Sequence, residues 1–568
     1  MKKLILLSLF LFVFVFSMVA CSNDDSSEGQ SSNETENTTS SEPGDPFGAY
    51  DETITISIAQ EVDPSDTSLP EDDTPLDNQY TRSVKENLNI QVEHDFTASP
   101  SNYNQRISLA IASNDLPDAM IVGPVELRQL VETDQIAEMT DIYENYASPA
   151  IKRIVDSTDG IAKETVTFDG RMMAIPNVQL QADGIHLLWI RQDWLDHLGL
   201  DVPQTVEELK EVARAFTEDD PNGTGANDTI GLAGPGNNNK LYANFLESTN
   251  NLYGFDGVFA AFGAYPGFWI EDDNGDVAYG ATQNQTKEAL SFLRDMYADG
   301  LIDREIGVRE DPGESVISGE TGMFFAPWWM PYGPITDAVT EDPNANWQAY
   351  TTPLNADGEY RPSLSSPSAN FVVVRKGYEH PEAAMKILNN LLDNEATFDP
   401  SLGGPGYYPL RLVFAPADET EYSVEALREV LNGTKTPADF EDKPEYKLLV
   451  SDAESITDVK TEPYDDYNIE HWDIDSDRGA WTRAYALMVG GSPLVDNEVN
   501  GVHSLAYSQT DTMEQRWVNL KAMEDETFLR IIMGNAPLDD FDTFVEDWLN
   551  QGGEQITSEV EEVVELTE

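Results

Sequence analysis

Oxygen-bearing groups recur at regular spacing in residues 220–228. They stand at relative positions 1, 3, 5, 7 and 9 of this segment and belong to Asp220, Asn222, Thr224, Ala226 (through its backbone carbonyl) and Asp228. A glycine at relative position 6, Gly225, allows a tight turn. This spacing matches the first nine positions of an EF-hand loop, whose hard oxygen ligands suit Ca²⁺. We therefore predict a structural calcium site formed by these five residues.

Two departures from the EF-hand pattern leave an alternative open. Thr224 stands where Asp or Asn is usual, and Gly231 occupies position 12 in place of a bidentate Glu. Both changes remove carboxylate ligands and weaken a calcium site. The alternative is a metal-free turn of the Asx type that joins a helix to a strand.

Motifs for covalent or metal-assisted catalysis are missing from the sequence. There is no G-x-S-x-G nucleophile elbow, no H-E-x-x-H zinc pair and no G-x-x-x-x-G-K-[ST] phosphate loop. The six histidines are scattered along the chain. The sequence therefore favours a protein that is not an enzyme.

The N-terminus is typical of an exported, lipid-anchored protein. Lys2 and Lys3 precede an uncharged, apolar run over residues 4–20, which is the pattern of a secretory signal peptide. Small and apolar residues then lead to Cys21, the only cysteine, as in a bacterial lipoprotein signal. We predict a signal peptide over 1–20, acylation (palmitate) of Cys21, and a disordered acidic tether over 21–49. An ordinary signal peptide followed by an unmodified cysteine is the alternative.

The charge balance limits the possible partners. The 568 residues contain 33 Lys and Arg against 104 Asp and Glu, a formal net charge of −71. Phosphate backbones and anionic lipid surfaces repel such a chain, so we expect no nucleic-acid partner and contact with the bilayer only through the acylated cysteine. A surface this acidic suits high salt or alkaline surroundings.

Strand and helix patterns alternate after the tether. Residues 53–58 alternate apolar and polar side chains as a strand does, and Thr205 with Glu208 forms the capping box of a helix that reaches Phe216. Pro381 begins a second clear helix, and strand-like runs occupy residues 185–190, 322–326 and 371–374. This order indicates an α/β fold.

Three stretches of the chain resemble the extracellular solute-binding lipoproteins (family 1) of carbohydrate ABC transporters, in particular the large oligosaccharide- and alginate-binding branch. They lie within residues 188–223, 322–384 and 527–553. The resemblance implies a two-lobe periplasmic-binding-protein type II fold with hinge strands between the lobes. It places residues 50–184 and about 366–408 in lobe 1. Lobe 2 would take residues 185–365, part of 409–568 and the C-terminal helices.

The resemblance also implies a function. Such a receptor captures an oligosaccharide in the cleft between its lobes and delivers it to ABC permease subunits at the outer face of the membrane, most simply as a monomer. Related alginate-binding receptors carry a calcium loop of the kind found at residues 220–228. The rival hypotheses are a secreted glycoside hydrolase, whose paired carboxylates a chain with 104 acids would easily supply, and a surface adhesion or structural lipoprotein.

A saccharide cleft needs aromatic rings for the apolar sugar faces and polar groups for the hydroxyls. Trp328 and Trp329 follow a predicted strand at the position where this family often places a stacking ring. The other candidates are Trp269, Tyr464 and Trp472 among the aromatic residues, and Gln60, Glu61, Glu126 and Asp183 at strand ends or crossings. Packing in a core or on a surface loop is the alternative for each aromatic residue. We assign Trp189, Trp194 and Trp548 to the core.

Overall fold

The computed structural model describes residues 44–62, 69–70, 72–99, 102–158, 160–226, 228–237, 240–246, 251–272, 274–399 and 402–567. The predicted signal peptide, Cys21 and most of the predicted tether lie outside these residues.

The described residues form fifteen strands. These are β1 Ile54–Glu61, β2 Ile90–Ala98, β3 Ala119–Val122, β4 Thr167–Phe168, β5 Arg171–Met172, β6 Ile175–Pro176, β7 Leu187–Arg191, β8 Ile230–Leu232, β9 Trp269–Glu271, β10 Val277–Tyr279, β11 Thr321–Ala326, β12 Trp347–Tyr350, β13 Ser363–Leu364, β14 Phe371–Val374 and β15 Val502–His503.

Twenty α-helices lie in the same described part of the chain. These are α1 Gln79–Leu88, α2 Tyr103–Ser113, α3 Pro124–Glu132, α4 Thr140–Tyr146, α5 Pro149–Asp156, α6 Ile161–Glu164, α7 Gln192–Leu198, α8 Val206–Glu218, α9 Asp256–Ala261, α10 Asn284–Asp299, α11 Gly313–Ile317, α12 Pro334–Glu341, α13 Glu382–Asn394, α14 Glu419–Leu431, α15 Leu449–Val459, α16 Arg478–Tyr485, α17 Ser492–Asp496, α18 Asp511–Ile532, α19 Asp540–Trp548 and α20 Glu554–Thr567.

The first sheet has the strand order β2-β1-β3-β14-β6. β1 runs parallel to β2 and β3, whereas β14 runs antiparallel to β3 and β6. One hydrophobic core surrounds this sheet, and its buried residues come from residues 56–178 and 371–414. Because β14 returns from a distant part of the chain, lobe 1 is discontinuous in sequence.

The second sheet has the order β12-β7-β11-β8. Successive side chains of β7 point to opposite faces, as in any strand. Leu188 and Ile190 join one buried cluster, which includes residues of α18, α19 and α20. Leu187 and Trp189 join a different cluster, which includes residues of α14, α15 and α16. The second lobe is therefore a sheet with a core on each face.

Three segments connect the first core to the second lobe. They lie between Val178 and Ala182, between Leu364 and Phe371, and between Phe414 and Val424. The first and third segments run side by side, because the backbone N–H of Val178 donates to the carbonyl of Val413 at 3.0 Å and that of Gln181 donates to Ala417 at 3.1 Å.

Several local predictions are confirmed. The Thr205 hydroxyl accepts from the Glu208 backbone N–H at 3.2 Å, and the Glu208 carboxylate accepts from the Thr205 N–H at 3.3 Å, so the capping box begins α8 as expected. Pro381 caps α13. Trp189, Trp194 and Trp548 are buried in the cores.

Candidate functional site

A cavity of about 530 Å³ opens where β1 and β3 end, next to the first connecting segment. Gln60 and Glu61 end β1, and Gly123 follows β3. The carboxyl ends of parallel strands are the usual ligand-binding edge of an open α/β sheet. The remaining polar side chains around the cavity come from Asn104, Asn177, Asn370, Tyr103, Tyr407, Tyr408 and Arg411.

Gln60 supports the wall of this cavity. It is only 6% exposed, and its amide nitrogen donates to the carbonyls of Gly406 and Tyr408 at 3.3 and 3.4 Å. Its amide oxygen lies 2.6 Å from Nε2 of His94. These contacts fix the segment that carries both tyrosines against the end of β1. Gln60 therefore positions the cavity wall, while the exposed Glu61 faces solvent.

Asparagine side chains join the cavity to the connecting segments. The Asn177 side-chain oxygen accepts from the backbone N–H groups of Ala369 and Asn370 at 2.9 and 3.0 Å. This amide thereby ties the first connecting segment to the second, just before β14. Asn370 itself is exposed at the cavity.

The predicted residue Glu126 lies in the first turn of α3 and is half-buried. Burial raises the pKa of the Tyr103 phenol, and the negative charges of Glu61 and Glu126 raise it further. The negative charges of both carboxylates therefore act on the phenol of Tyr103, which lines the cavity. The structure brings Gln60, Glu61 and Glu126 into one region.

Tyr407, Tyr408, Asn370 and Arg411 were missed at the sequence level. The tyrosine pair follows a glycine- and proline-rich run, residues 403–406, which marks a loop that can approach another segment closely. That composition was the available signal. Gly406 in this run lies beside Gln60, which is 346 residues away in the chain. That proximity could not be seen in the sequence.

Asp183 lies in a second polar group, on the far side of the first connecting segment. Its carboxylate accepts from the Trp328 indole N–H at 2.9 Å. The Arg483 guanidinium lies over the Trp328 ring at 5.9 Å and binds Asp452 at 3.1 Å and Glu419 at 3.7 Å. Burial raises the pKa of Asp183 to about 6, although the Trp328 N–H and Arg483 act against this shift. Burial also raises the pKa of Glu421, on the same helix as Glu419, to about 7.

Three predicted stacking residues are buried, which corrects the sequence prediction. Trp328 is 4% exposed and belongs to a buried hydrophobic cluster, Trp269 is fully buried, and Trp472 is 5% exposed. Trp269 packs against Phe245, Tyr279 and Trp548 because β9 lies inside the second lobe. The Trp472 indole donates to the Tyr467 carbonyl at 3.1 Å and contacts Trp481 and Tyr485.

Trp329 is the one tryptophan of the ten that is not buried. Its side chain is half-buried, and nearby Tyr332 is 53% exposed. Tyr464 is also half-buried and packs against the buried cluster that contains Leu187 and Trp189. The solvent-accessible aromatic rings that follow β11 are therefore those of Trp329 and Tyr332, not that of Trp328.

The segment predicted to bind calcium folds into a loop with its oxygens facing one another. The Thr224 hydroxyl lies 3.1 Å from Oδ1 of Asp228 and 3.2 Å from Oδ1 of Asn222. The Asp220 carboxylate accepts from the Gly225 backbone N–H at 3.0 Å. Four side-chain oxygen donors of this kind suit Ca²⁺, but only two are carboxylates. No cluster of three or more His, Cys, Asp or Glu with metal-binding geometry occurs among the residues described.

Gly231 explains why the loop has no Glu at position 12. A Cβ at this position would lie 2.4 Å from the carbonyl oxygen of Ala213 in α8. Since β8 packs this closely on α8, a side chain at residue 231 has no space. The loop cannot have its usual bidentate ligand from that position.

None of the helices in the described part of the chain combines the length and the apolar character that crossing a bilayer requires.

Similarity to known proteins agrees with the two-lobe architecture. The chain is 31% identical to the fructooligosaccharide ABC transporter substrate-binding protein FusA of Streptococcus pneumoniae over 38% of this chain and 40% of FusA. It is 25% identical to the polygalacturonan/rhamnogalacturonan-binding protein YtcQ of Bacillus subtilis over 85% of this chain and 87% of YtcQ. The solved structure of an HMO-binding solute-binding protein associated with an ABC transporter, from Bifidobacterium longum infantis, has the same fold. It aligns with a TM-score of 0.59 at 14% identity and covers 91% of this chain and 99% of that chain.

The family profile described as bacterial extracellular solute-binding protein matches residues 75–398, more than half of the chain. This chain therefore belongs to the bacterial extracellular solute-binding proteins and has their two-lobe fold.

Proposed function

We propose that this protein captures an oligosaccharide between its two lobes and delivers it, unaltered, to the permease of an ABC importer. The observation that carries the proposal is the cavity at the ends of β1 and β3, which amides and tyrosines line beside the connecting segments. Amides and phenols donate and accept hydrogen bonds, as sugar hydroxyls do, and the aromatic faces suit sugar C–H groups. FusA and YtcQ, both named as saccharide-binding proteins, support this ligand class.

Binding would use the two-lobe architecture directly. A ligand that touches both lobes stabilises the closed arrangement relative to the open one by its differential affinity for the two. On the first lobe we assign contacts to Glu61, Glu126 and the cavity tyrosines. On the second lobe we assign the stacking surface to Trp329, with Tyr464 as a rim residue. Gln60 and Asp183 act by positioning the wall of the cavity and the Trp328 indole.

The location follows from the N-terminus and the family. Members of this family are extracellular, and Cys21 would hold the chain at the outer face of the membrane through its acyl groups. The segment up to residue 49 would act as a tether long enough for the lobes to contact the permease. Mass spectrometry of the membrane-extracted protein tests this: it should begin at a diacylated Cys21, and an unmodified Cys21 contradicts the anchor.

The loop at residues 220–228 would hold Ca²⁺ through Asp220, Asn222, Thr224, the Ala226 carbonyl and Asp228. The ion would neutralise two facing carboxylates and fix the connection between α8 and β8. The loop supplies no group to the cavity, so its role is structural.

Calorimetric titration of the full-length protein with an oligosaccharide panel tests the function. The proposal predicts one site per chain for at least one oligosaccharide and recovery of that sugar without new products by chromatography. Release of shorter sugars would identify a glycoside hydrolase instead. Absence of binding across the panel would contradict the receptor function.

A further inference from the structure

The cavity differs in charge from the rest of the chain. Among its seventeen lining residues, only Glu61 and Arg411 are charged, so their formal charges cancel. The whole chain has about three acids for every base, 104 against 33. Polarity in the cavity comes instead from the amides of Gln60, Asn104, Asn177 and Asn370 and from tyrosine hydroxyls. Such groups match neutral hydroxyls and provide no excess of cations.

A group rich in acidic residues lies a short distance along the chain from the cavity. Asp183 is six residues beyond Asn177, and six extended residues span at most about 20 Å. The polar group at this end contains four acidic residues, Asp183, Glu419, Glu421 and Asp452, and two cations, Arg483 and Lys447, act on it. Lys447 is itself paired with Glu395. Since Arg483 is already within salt-bridge distance of Asp452 and Glu419, its charge is compensated.

From these two observations we infer that the ligand is an uncharged oligosaccharide, and that saccharides with a carboxylate on every ring are rejected. This inference rests on the proposed function and narrows it to a substrate class. It separates this chain from YtcQ, which is named for polygalacturonan and rhamnogalacturonan. Each uronate ring would bring a negative charge into a site whose lining residues include one cation, Arg411, and one carboxylate, Glu61. A carboxylate without a partner is costly to remove from water. The net charge of −71 also repels a polyanion before it arrives.

The test compares sugars of equal length that differ in charge. Purified full-length protein is titrated with neutral trisaccharides (kestose, raffinose, maltotriose, cellotriose, xylotriose and arabinotriose) and with trigalacturonate and trimannuronate. Each titration is done at about 50 and about 500 mM NaCl, because salt screens the interactions of exposed charges. The expected result is binding of at least one neutral trisaccharide, with an affinity at least about tenfold higher than that of either uronate at both salt concentrations. The affinity for the neutral sugar should change less than about twofold between the two salt concentrations.

The outcomes separate this inference from the proposed function. A uronate trisaccharide that binds as tightly as the best neutral one, or more tightly, overturns the inference and leaves the receptor function standing. If no sugar of either class binds, the proposed function fails and the inference fails with it.

Discussion

Exposed carboxylate and amide groups at the ends of β1 and at the start of β14 present the hydrogen-bonding surface of the cavity. Glu61 and Asn370 are both exposed there, whereas Gln60 and Asn177 behind them are buried and already bonded to backbone groups. The two buried amides hold the wall in place, and the two exposed side chains are available to a ligand. Their substitution should therefore change affinity more than stability.

The substitution Glu61→Gln tests whether the exposed side chains of the cavity contribute to affinity rather than to stability. A carboxylate accepts a stronger hydrogen bond from a sugar hydroxyl than an amide does, so we expect affinity for the bound oligosaccharide to fall by about 1–2 kcal/mol. The unfolding temperature should change little because the side chain is exposed. Calorimetric titration measures the affinity, and Glu86→Gln, an exposed carboxylate on α1, is the matched control. Equal affinities for the two variants would remove Glu61 from the site.

Glu421 should make the stability depend on pH. Its Oε2 is buried and has no hydrogen-bond partner among the residues that the structure describes, and burial raises its pKa from 4.5 to about 7 in the folded chain. Because the folded pKa exceeds the unfolded one, the group favours folding fully below about pH 4.5, and that contribution is lost as the pH rises through about 7.

Glu421→Gln should therefore stabilise the protein at pH 8 by roughly 1–3 kcal/mol relative to the parent and by little at pH 4. Chemical denaturation at the two pH values measures the difference. Glu425→Gln, an exposed position on the same helix, should show no such dependence. A Glu421→Gln variant that is no more stable at pH 8 than at pH 4, relative to the parent, would contradict the argument.

At the scale of elements, a π-helical segment, Ala486–Gly491, fixes the turn that follows β11. A Cβ on Gly490 would lie 2.1 Å from the carbonyl oxygen of Trp328. Only glycine allows this close approach of two backbones. The contact orients residues 327–329, including the half-buried Trp329.

Gly490→Ala should lower the free energy of unfolding by about 2–4 kcal/mol, since backbone must move to admit the methyl group. It should also weaken sugar binding by shifting Trp329. Gly404→Ala is the control, because a Cβ there meets no atom within 4 Å. Thermal unfolding compares the two variants, and an equally stable Gly490→Ala protein would show that the close contact does not constrain the turn.

The loop between α8 and β8 gives a prediction for metal removal. If Ca²⁺ binds the folded loop, removing the ion with EGTA lowers the unfolding temperature, and adding excess Ca²⁺ restores it. With two carboxylate ligands we expect a weak site and a shift of a few degrees. Asp228→Ala should abolish the difference between EGTA and Ca²⁺. A parent protein that is insensitive to both would support the metal-free turn.

Local patterns in the sequence predicted elements well, but they predicted the burial of only some tryptophans, namely Trp189, Trp194 and Trp548. The alternation at residues 53–58, the capping box of α8 and the proline before α13 are local features, and each appears as expected. Gln60 and Glu61, which were chosen because they end a predicted strand, line the cavity. Trp269, Trp328 and Trp472 could not be placed, because their exposure depends on residues far away in the chain. The contribution of Tyr407 and Tyr408 likewise depends on Gln60, which only the folded chain brings near them.

At the scale of the whole molecule, three connecting segments and a few exposed ion pairs join the lobes. Arg128 of α3 contacts Asp511 and the Gln509 carbonyl at the start of α18, each at 2.9 Å. Arg153 of α5 contacts Glu445 at 3.2 Å. Exposed pairs of this kind contribute about 0–1 kcal/mol each. If the proposed receptor opens and closes, contacts as weak as these would let ligand binding shift that equilibrium. The exact lobe boundaries within the connecting segments stay a prediction.

The position of the bound sugar decides most directly whether the proposed function is right. Diffraction from crystals grown with the tightest-binding oligosaccharide of the panel tests this directly. We predict one intact sugar in the cavity at the ends of β1 and β3, in contact with Glu61 and Asn370, with aromatic contacts to Trp329 from the second lobe. A sugar bound away from both lobes' facing surfaces, or present only as cleaved products, would contradict the account.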